Sequence, residues 1–303
     1  MPILPCRAPA NFYTESGLPR MKHIASVSVH GGHSGQFCHH ATDTLEEIIQ
    51  RYIALGFPWV GITEHAPGIS LELLYPDQQA AGLTPEFLLQ RFALYMQECR
   101  RLQEKYRSQI RIFAAIESET YSGYQEFMPF LLTTFKPDYV VGSVHFVDDL
   151  GFDYSREQYE KTAAAVGGTD ELYCRYFDLQ YDMLLFLQPA VVGHFDLIRI
   201  FDADYKTRLL RPEIMSRIKR NLTVVKDLDL ILDFNLRALL KGADEPYISR
   251  VILEMARKMD IAVVPGDDSH GVANVGANMA TGIAILSELG FNTAWQQPKL
   301  LNS

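Results

Sequence analysis

Histidines and carboxylates follow a series of short apolar segments in this sequence of 303 residues. Imidazole nitrogens and carboxylate oxygens bind divalent transition metals, and such metals can activate water for hydrolysis. A single histidine at the end of a strand is usually structural, but the same arrangement after seven segments predicts a shared metal site. The residues at these ends are His30, His33, His65, Glu117, His145, His194, Asp233, Asn235, Asp267, Asp268 and His270.

The segments that must position these residues are short and nearly continuous in apolar side chains, which predicts buried strands. They are Ile24–Val29, Trp59–Thr63, Arg111–Ile116, Tyr139–Val144, Ala190–Val192, Leu228–Phe234 and Ile261–Val264. Most are followed by a segment with helical character. The predicted helices are Thr44–Leu55, Pro85 to about Arg107, Tyr124–Phe135, Thr169–Leu187, Pro212–Lys226, Pro246–Met259 and Thr281–Gly290.

Strands that alternate with helices predict an α/β protein with a parallel sheet, either an open doubly wound sheet or a closed barrel. No Gly-x-Gly-x-x-Gly follows the first strand, which argues against a dinucleotide-binding sheet. In both architectures the functional residues gather at the carboxyl ends of the strands. The connections 66–83 and 146–168 are long, and we expect them to cover the site. Residues 1–20 are predicted to be an N-terminal extension, and residues 21–303 a single domain.

The composition restricts the kind of partner and the compartment. The formal net charge of −9 argues against a nucleic-acid-binding surface and suits a small or cationic ligand. No apolar run approaches the roughly 20 residues of a membrane helix. The four cysteines are scattered without Cys-x-x-Cys pairs, which predicts reduced thiols and a cytoplasmic protein. Among them, Cys38 is expected to be a buried thiol rather than a metal ligand.

Six short motifs, in order, resemble those of the polymerase and histidinol phosphatase (PHP) family. The first reads His30-Gly-Gly-His33 and then Cys38-His39-His40, and the second reads Thr63-Glu64-His65. The others are Ile116-Glu117-Ser118-Glu119-Thr120-Tyr121, Gly142-Ser143-Val144-His145-Phe146, Val192-Gly193-His194-Phe195-Asp196-Leu197-Ile198 and Asp268-Ser269-His270. Each motif is short, but the ordered set from about residue 24 to 276 is specific.

The resemblance implies a distorted (β/α)7 TIM-like barrel whose site binds three divalent ions. It assigns the first ion to His30, His33, Glu117 and Asp268. It assigns the second ion to Glu117, His145 and His194, with Glu117 as a bridge, and the third to His40, His65 and His270. Nitrogen and oxygen donors suit zinc, iron or manganese.

The remaining polar residues near the motifs are candidates for supporting roles. Three carboxylates are expected to orient imidazoles, namely Glu119, Asp196 and Asp267. Asp196, Asp267 or a bound water is the candidate proton donor, and Glu119 or Asp233 could hold a cationic group of the substrate. The predicted catalytic residues are Glu117, Asp268 and Asp196. The predicted substrate-binding residues are Arg199 and Arg237, as phosphate clamps, and Glu119.

The resemblance implies a metal-dependent phosphatase in which a metal-bound hydroxide attacks phosphorus without a protein nucleophile. The Gly142–His145 motif and the chain length favour histidinol phosphate, an intermediate of histidine biosynthesis, as the substrate. Another small phosphate ester is an open alternative. A 3′–5′ exonuclease is disfavoured by the acidic charge, and a structural metal protein is disfavoured because such sites need only about four ligands.

Overall fold

The computed structural model describes residues 24–301, so the predicted extension at residues 1–20 lies outside the described residues. Six strands form one curled parallel sheet, in the order β1-β2-β3-β6-β7-β8, and β4 pairs with β5 in an antiparallel hairpin. The strands are β1 (Trp59–His65), β2 (Arg111–Glu117), β3 (Val140–Gly142), β4 (Phe146–Val147), β5 (Leu150–Gly151), β6 (Val191–Val192), β7 (Ile231–Asn235) and β8 (Val263–Gly266). This confirms the predicted α/β class and parallel sheet.

Helices connect successive strands and cover the outside of the sheet. The first helix begins with a capping box, in which the side chains of Thr44 and Glu47 each accept a hydrogen bond from the other's backbone amide. The α-helices are Leu45–Ala54, Pro76–Ala80, Pro85–Tyr106, Tyr124–Phe135, Arg156–Val166, Thr169–Leu187, Tyr205–Arg208, Pro212–Asp227, Arg237–Leu240, Arg250–Lys258 and Met279–Glu288. Short 3-10 helices are Leu71–Leu73, Leu197–Arg199 and Val272–Asn274. Within residues 24–301, no helix is both long and apolar enough to cross a membrane.

The predicted first strand, Ile24–Val29, is not a regular strand in the structure. Only Ser28 forms a parallel bridge, to Val60 of β1. The carbonyl of Ser28 accepts a hydrogen bond from Gly61 at 2.9 Å, and the amide of Val29 donates to Pro265 of β8 at 3.0 Å. The segment therefore lies between the two edges of the sheet, but it pairs with each edge over too short a length for a ladder.

Three other predictions differ from the structure. The helix predicted from Pro246 starts only at Arg250, because Tyr247 forms an antiparallel bridge with Asn235 and is held extended. The predicted loop 146–168 contains the β4–β5 hairpin and the helix Arg156–Val166. The predicted loop 66–83 contains the short helix Pro76–Ala80.

Alternate residues of the strands face two different buried layers, as expected for strands covered on both sides. On β2, Ile112, Ala114 and Ile116 pack in the large core against the helices. Phe113 and Ala115 face a smaller core on the concave side of the sheet. The same alternation turns Glu117, the last residue of β2, towards the concave side. This smaller core also contains Val27, Val29, Trp59, Tyr139, Val141, Val191, Ile231 and Val264.

Tyr139 and Gly61 illustrate how tightly the concave core is packed. Tyr139 is fully buried, and its hydroxyl donates to the carbonyl of Val29 at 2.7 Å. A Cβ atom on Gly61 would lie only 1.6 Å from this hydroxyl oxygen. Glycine at position 61 therefore makes room for the Tyr139 ring, whose hydroxyl is hydrogen-bonded to the 24–29 segment.

Gly61→Ala is expected to destabilise the protein by about 1–3 kcal/mol, because the added methyl group must displace Tyr139. Tyr139→Phe removes only one hydrogen bond and is expected to cost about 1 kcal/mol. Urea unfolding of both variants would measure these free energies. A Gly61→Ala variant as stable as the unsubstituted protein would contradict this account of the packing.

Candidate metal centre

Glu117 lies at the centre of a buried cluster of imidazoles. Its side chain is about 1% exposed, and five imidazoles from four segments of the chain approach its carboxylate oxygens. The distances to Oε1 are 2.9 Å from His194 Nε2 and 3.4 Å from His145 Nε2, and those to Oε2 are 3.1 Å from His65 Nδ1, 3.4 Å from His30 Nε2 and 3.8 Å from His33 Nε2. The carboxyl end of β2 thus meets donors from the ends of β1, β3, β6 and the 24–29 segment.

The first and last motifs of the sequence meet beside this cluster. The amide of Asp268 donates to the carbonyl of His30 at 2.9 Å, and the amide of His33 donates to the carbonyl of Ser269 at 2.7 Å. These backbone bonds bring His33 Nε2 to 3.4 Å from Asp268 Oδ1. Asp268 has a φ of 44°, in the left-handed region, so its backbone conformation is held by the surrounding contacts.

The donor atoms form four groups in which all members lie within 4.8 Å of one another. One group contains three of the four ligands predicted for the first ion, a second mixes ligands predicted for the first and second ions, and Glu119, which was not a predicted ligand, joins a third group. The groups are His30–Glu117–His194, His30–His33–Asp268, His65–Glu119–His145 and His33–Cys38–His65–His270. The structure therefore brings together eight of the nine predicted ligands within these groups.

His40 is the predicted ligand that none of these groups contains within the described residues. Its ring stacks on that of His270, with centroids 4.9 Å apart, so it still borders the cluster. Its Nε2 lies 3.3 Å from the Sγ atom of Cys38, and its Nδ1 lies 3.6 Å from Asp77. Cys38 is buried, as predicted. Its sulfur nevertheless lies within 4.8 Å of donor atoms of His33, His65 and His270, although it was not expected to be a metal ligand.

Several buried imidazole nitrogens have no hydrogen-bond partner among the described residues. A buried polar atom without a partner is costly, unless a water molecule or an ion satisfies it. The unpartnered atoms are His30 Nε2, both nitrogens of His33, both nitrogens of His65 and His194 Nδ1. Nitrogen donors of this kind, beside Glu117 and Asp268, fit divalent transition metals.

The charges of the cluster depend strongly on one another. Burial would lower the pKa of His65, but the neighbouring Glu117 and Glu119 carboxylates outweigh this effect and raise it to about 10. Burial would raise the pKa of Glu117, but the surrounding imidazoles hold it well below its ordinary value. The carboxylate is therefore ionised, as a metal-bridging ligand must be. Burial and the nearby positive charge of Arg237 lower the pKa of His270.

Two carboxylates orient imidazoles by accepting a hydrogen bond from the ring nitrogen remote from Glu117. Glu119 Oε2 lies 2.8 Å from His145 Nδ1, and Asp233 Oδ2 lies 2.9 Å from His30 Nδ1. In both rings the Nε2 atom is left to face Glu117. Glu119 also accepts a hydrogen bond from the hydroxyl of Tyr75 at 2.8 Å. Neither carboxylate lines the cavity that opens above the cluster, so neither is placed to hold a cationic substrate group.

Asp196, Asp267 and Arg199 do not lie at the cluster. Asp267 is buried and accepts hydrogen bonds from the hydroxyls of Ser28 and Tyr52. Asp196 accepts a hydrogen bond from the amide of Ser249 at 2.9 Å, and its Oδ2 lies 3.3 Å from Arg199 Nε. The Arg199 guanidinium also donates to the carbonyls of residues 245 and 246, at 2.8 and 2.7 Å. These three side chains hold the backbone around the site.

Arg237 does reach the cavity that opens above the cluster. Its guanidinium donates to the carbonyl of Asp268 at 2.9 Å. The cavity has a volume of about 180 Å³, which suits a small molecule. Its lining residues are His40, His65, Tyr75, Glu117, His145, Asp153, Tyr154, His194, Leu197, Arg237, Lys241, Tyr247, Asp268 and His270.

Sequence reasoning missed several of these lining residues. Tyr75, Asp153 and Tyr154 belong to the two long connections that were expected to cover the site, so their region was indicated but their identity was not. Lys241 lies one helical turn after Arg237, a spacing that places two basic side chains on one face. No comparable pattern in the sequence points to Tyr247.

Comparisons with known proteins show which family the chain resembles. The PHP domain family matches residues 31–237, more than half of the chain. A probable histidinol-phosphatase of Schizosaccharomyces pombe is 35% identical over 271 residues, which cover 88% of each chain. A Listeria monocytogenes structure, proposed to be a histidinol phosphatase, has 27% identity and a TM-score of 0.73, and the match covers 84% of this chain and 99% of that one.

A second structure shares the fold at lower identity. It is a histidinol phosphate phosphatase of Lactococcus lactis in complex with zinc, L-histidinol and phosphate. It is 17% identical, with a TM-score of 0.66, and the match covers 88% of this chain and 94% of that chain. At this level of identity, the comparison supports the overall fold.

Replacing Glu117 by Gln keeps the size of the side chain but removes the negative charge between the imidazoles. We expect the variant to lose at least one bound metal ion. Glu119→Gln is the matched control, because that carboxylate contacts imidazole nitrogens at the edge of the cluster. It is expected to weaken metal affinity by about 10–100-fold. Elemental analysis and metal titration would measure both effects.

The pair of variants also tests the assignment of the motif. Loss of metal from Glu119→Gln together with full metal content in Glu117→Gln would show that the central ligand is Glu119. Unchanged metal content in both variants would contradict a metal centre at the end of β2.

Proposed function

The chain belongs to the PHP domain family, and we propose that it is a metal-dependent phosphatase that converts histidinol phosphate and water to histidinol and phosphate. The observation that carries this proposal is the buried Glu117 carboxylate, ringed by unpartnered imidazole nitrogens at the floor of a small cavity. Arg237 and Lys241 supply positive charge to the same cavity. A dianionic phosphate ester matches both features.

We propose that the cluster holds three divalent ions of zinc, iron or manganese. His30, His33, Glu117 and Asp268 would hold one ion, and Glu117, His145 and His194 would hold a second. His65 and His270 would hold a third, with His40 beside them. When bound, such ions lower the pKa of a coordinated water and offset the charge of a phosphoryl group.

The protein's own residues prepare the site for this chemistry. Asp233 and Glu119 fix the orientation of His30 and His145, so that each ring presents Nε2 to the cluster. The carbonyl of Asp268 holds the Arg237 guanidinium at the cavity wall, where it can pair with a phosphate oxygen. Arg199 is engaged elsewhere, so we propose Lys241 as the second phosphate-binding cation.

The proton that the leaving alcohol requires has three candidate sources in the sequence, namely Asp196, Asp267 and water. Neither aspartate lines the cavity. Burial raises the pKa of both carboxyl groups, but each is fixed by hydrogen bonds away from the cluster. We therefore favour a water molecule as the donor.

We also propose that the sheet is part of a closed (β/α)7 barrel, in which residues 24–29 take the place of the seventh strand, between β8 and β1. The bridge from Ser28 to Val60 and the hydrogen bond from Val29 to Pro265 support this closure. The predicted boundary at residue 20 and the cytoplasmic location stay predictions.

The protein, purified gently and supplied with metal, is expected to contain up to three transition-metal ions per chain. Chelation should abolish phosphate release and lower the melting temperature, because ions that bind only the folded state stabilise it. Elemental analysis, calorimetry and a hydrolysis assay would follow these changes. Intact activity with less than one ion per chain would rule out a multinuclear centre.

Histidinol phosphate is expected to be hydrolysed at least tenfold better in kcat/KM than common sugar phosphates, a factor worth about 1.4 kcal/mol in the transition state. A phosphate-release screen should compare it with sugar phosphates, nucleotides and single-stranded DNA. Better turnover of another small ester would keep the phosphatase assignment and replace the substrate. Preference for DNA would overturn the assignment to a small-molecule enzyme.

A further inference from the structure

Asp153 is an acidic residue in the cavity wall that the metal cluster does not use. It lies between the β4–β5 hairpin and the helix Arg156–Val166, in the connection that borders the cavity. Its Oδ1 atom is buried and has no hydrogen-bond partner among the described residues. A buried carboxylate oxygen without a partner is unfavourable, so its position points to a ligand that supplies a donor.

The other acidic residues that line the cavity contact the cluster. Of the three acidic residues in its lining, Glu117 and Asp268 contact imidazoles of the cluster. Glu119 and Asp233 accept hydrogen bonds from His145 and His30, and neither lines the cavity. Asp153 is thus the carboxylate of the cavity wall that remains available to a bound molecule.

The cavity is lined by both basic and acidic side chains. Arg237 begins the short helix that follows β7, and Lys241 comes directly after that helix. Asp153 lies in the connection after β5. Tyr75 and Tyr247 also line this space and carry hydroxyl groups. A molecule that carries both a phosphate and a cationic group would match a cavity lined by charges of both signs.

We propose that Asp153 binds the protonated amine of the substrate and thereby selects amino-alcohol phosphates over phosphate esters that lack an amine. This inference rests on the proposed phosphatase function. A carboxylate and an ammonium group form a charge-assisted hydrogen bond, which is stronger than a neutral one. Asp153 is therefore a specificity-determining residue, and it takes no part in the bond cleavage itself.

The test compares Asp153→Asn with the unsubstituted enzyme on two esters. One is histidinol phosphate, and the other is the same imidazolyl-propyl phosphate without the amine. The variant is expected to lose about tenfold or more in kcat/KM on histidinol phosphate, mainly through KM, because it weakens ground-state binding as well. On the amine-free ester, its kcat/KM should change by less than about threefold.

Glu157→Gln is a matched control, because this carboxylate is exposed, pairs with Lys161 and does not line the cavity. It should behave like the unsubstituted enzyme on both esters. Calorimetric binding of L-histidinol to the metal-loaded protein gives a second readout that needs no turnover. Asp153→Asn should weaken this binding by a similar factor and leave the affinity for the amine-free alcohol unchanged.

The outcomes separate the two proposals. Equal losses on both esters, or equal weakening of both alcohols, would show that Asp153 is structural and would overturn its role in amine recognition. Equal preference of the unsubstituted enzyme for the two esters would overturn it as well. Failure of the unsubstituted, metal-loaded enzyme to hydrolyse either ester would overturn the phosphatase function and this inference with it.

Discussion

The Glu117 carboxylate and the imidazoles around it form the interaction on which the site depends. A buried negative charge is costly unless positive groups or hydrogen-bond donors surround it. The strands of the sheet deliver those groups, because their carboxyl ends meet at one place on the concave side. The tight packing of Tyr139 against Gly61, and the alternation along β2, both serve to aim side chains at this point.

Much of this organisation could be predicted from the sequence. Apolar segments followed by polar residues identified the sheet and placed His30, Glu117 and Asp268 at its functional edge. The prediction was possible because strand ends and ligand types are local properties of the chain. Helices with clear caps or proline at the first turn, such as Pro85–Tyr106, were also located within a residue or two.

The partners of these residues could not be predicted, because they depend on three-dimensional neighbours. Asp267 and Asp268 are adjacent in the sequence, yet Asp268 faces the imidazoles while Asp267 faces Ser28 and Tyr52. Arg199 follows a ligand motif closely, but the carbonyls of residues 245 and 246 fix its guanidinium. Within a strand, the alternation of side chains tells which face each residue occupies. The segments after the strands are irregular, so the alternation does not continue there and the direction of each side chain cannot be read from the sequence.

The contact between the first and last motifs has a consequence for how the protein acquires its site. Ser28 and Asp267, which share a hydrogen bond, are 239 positions apart in the chain. Half of the donors therefore meet only when almost the whole polypeptide has closed on itself. The entropic cost of closing so large a loop grows only with the logarithm of its length, so the large sequence separation adds little to the free energy of folding. The metal centre can therefore form only after the segments around residues 28 and 267 have both been synthesised and have folded against each other.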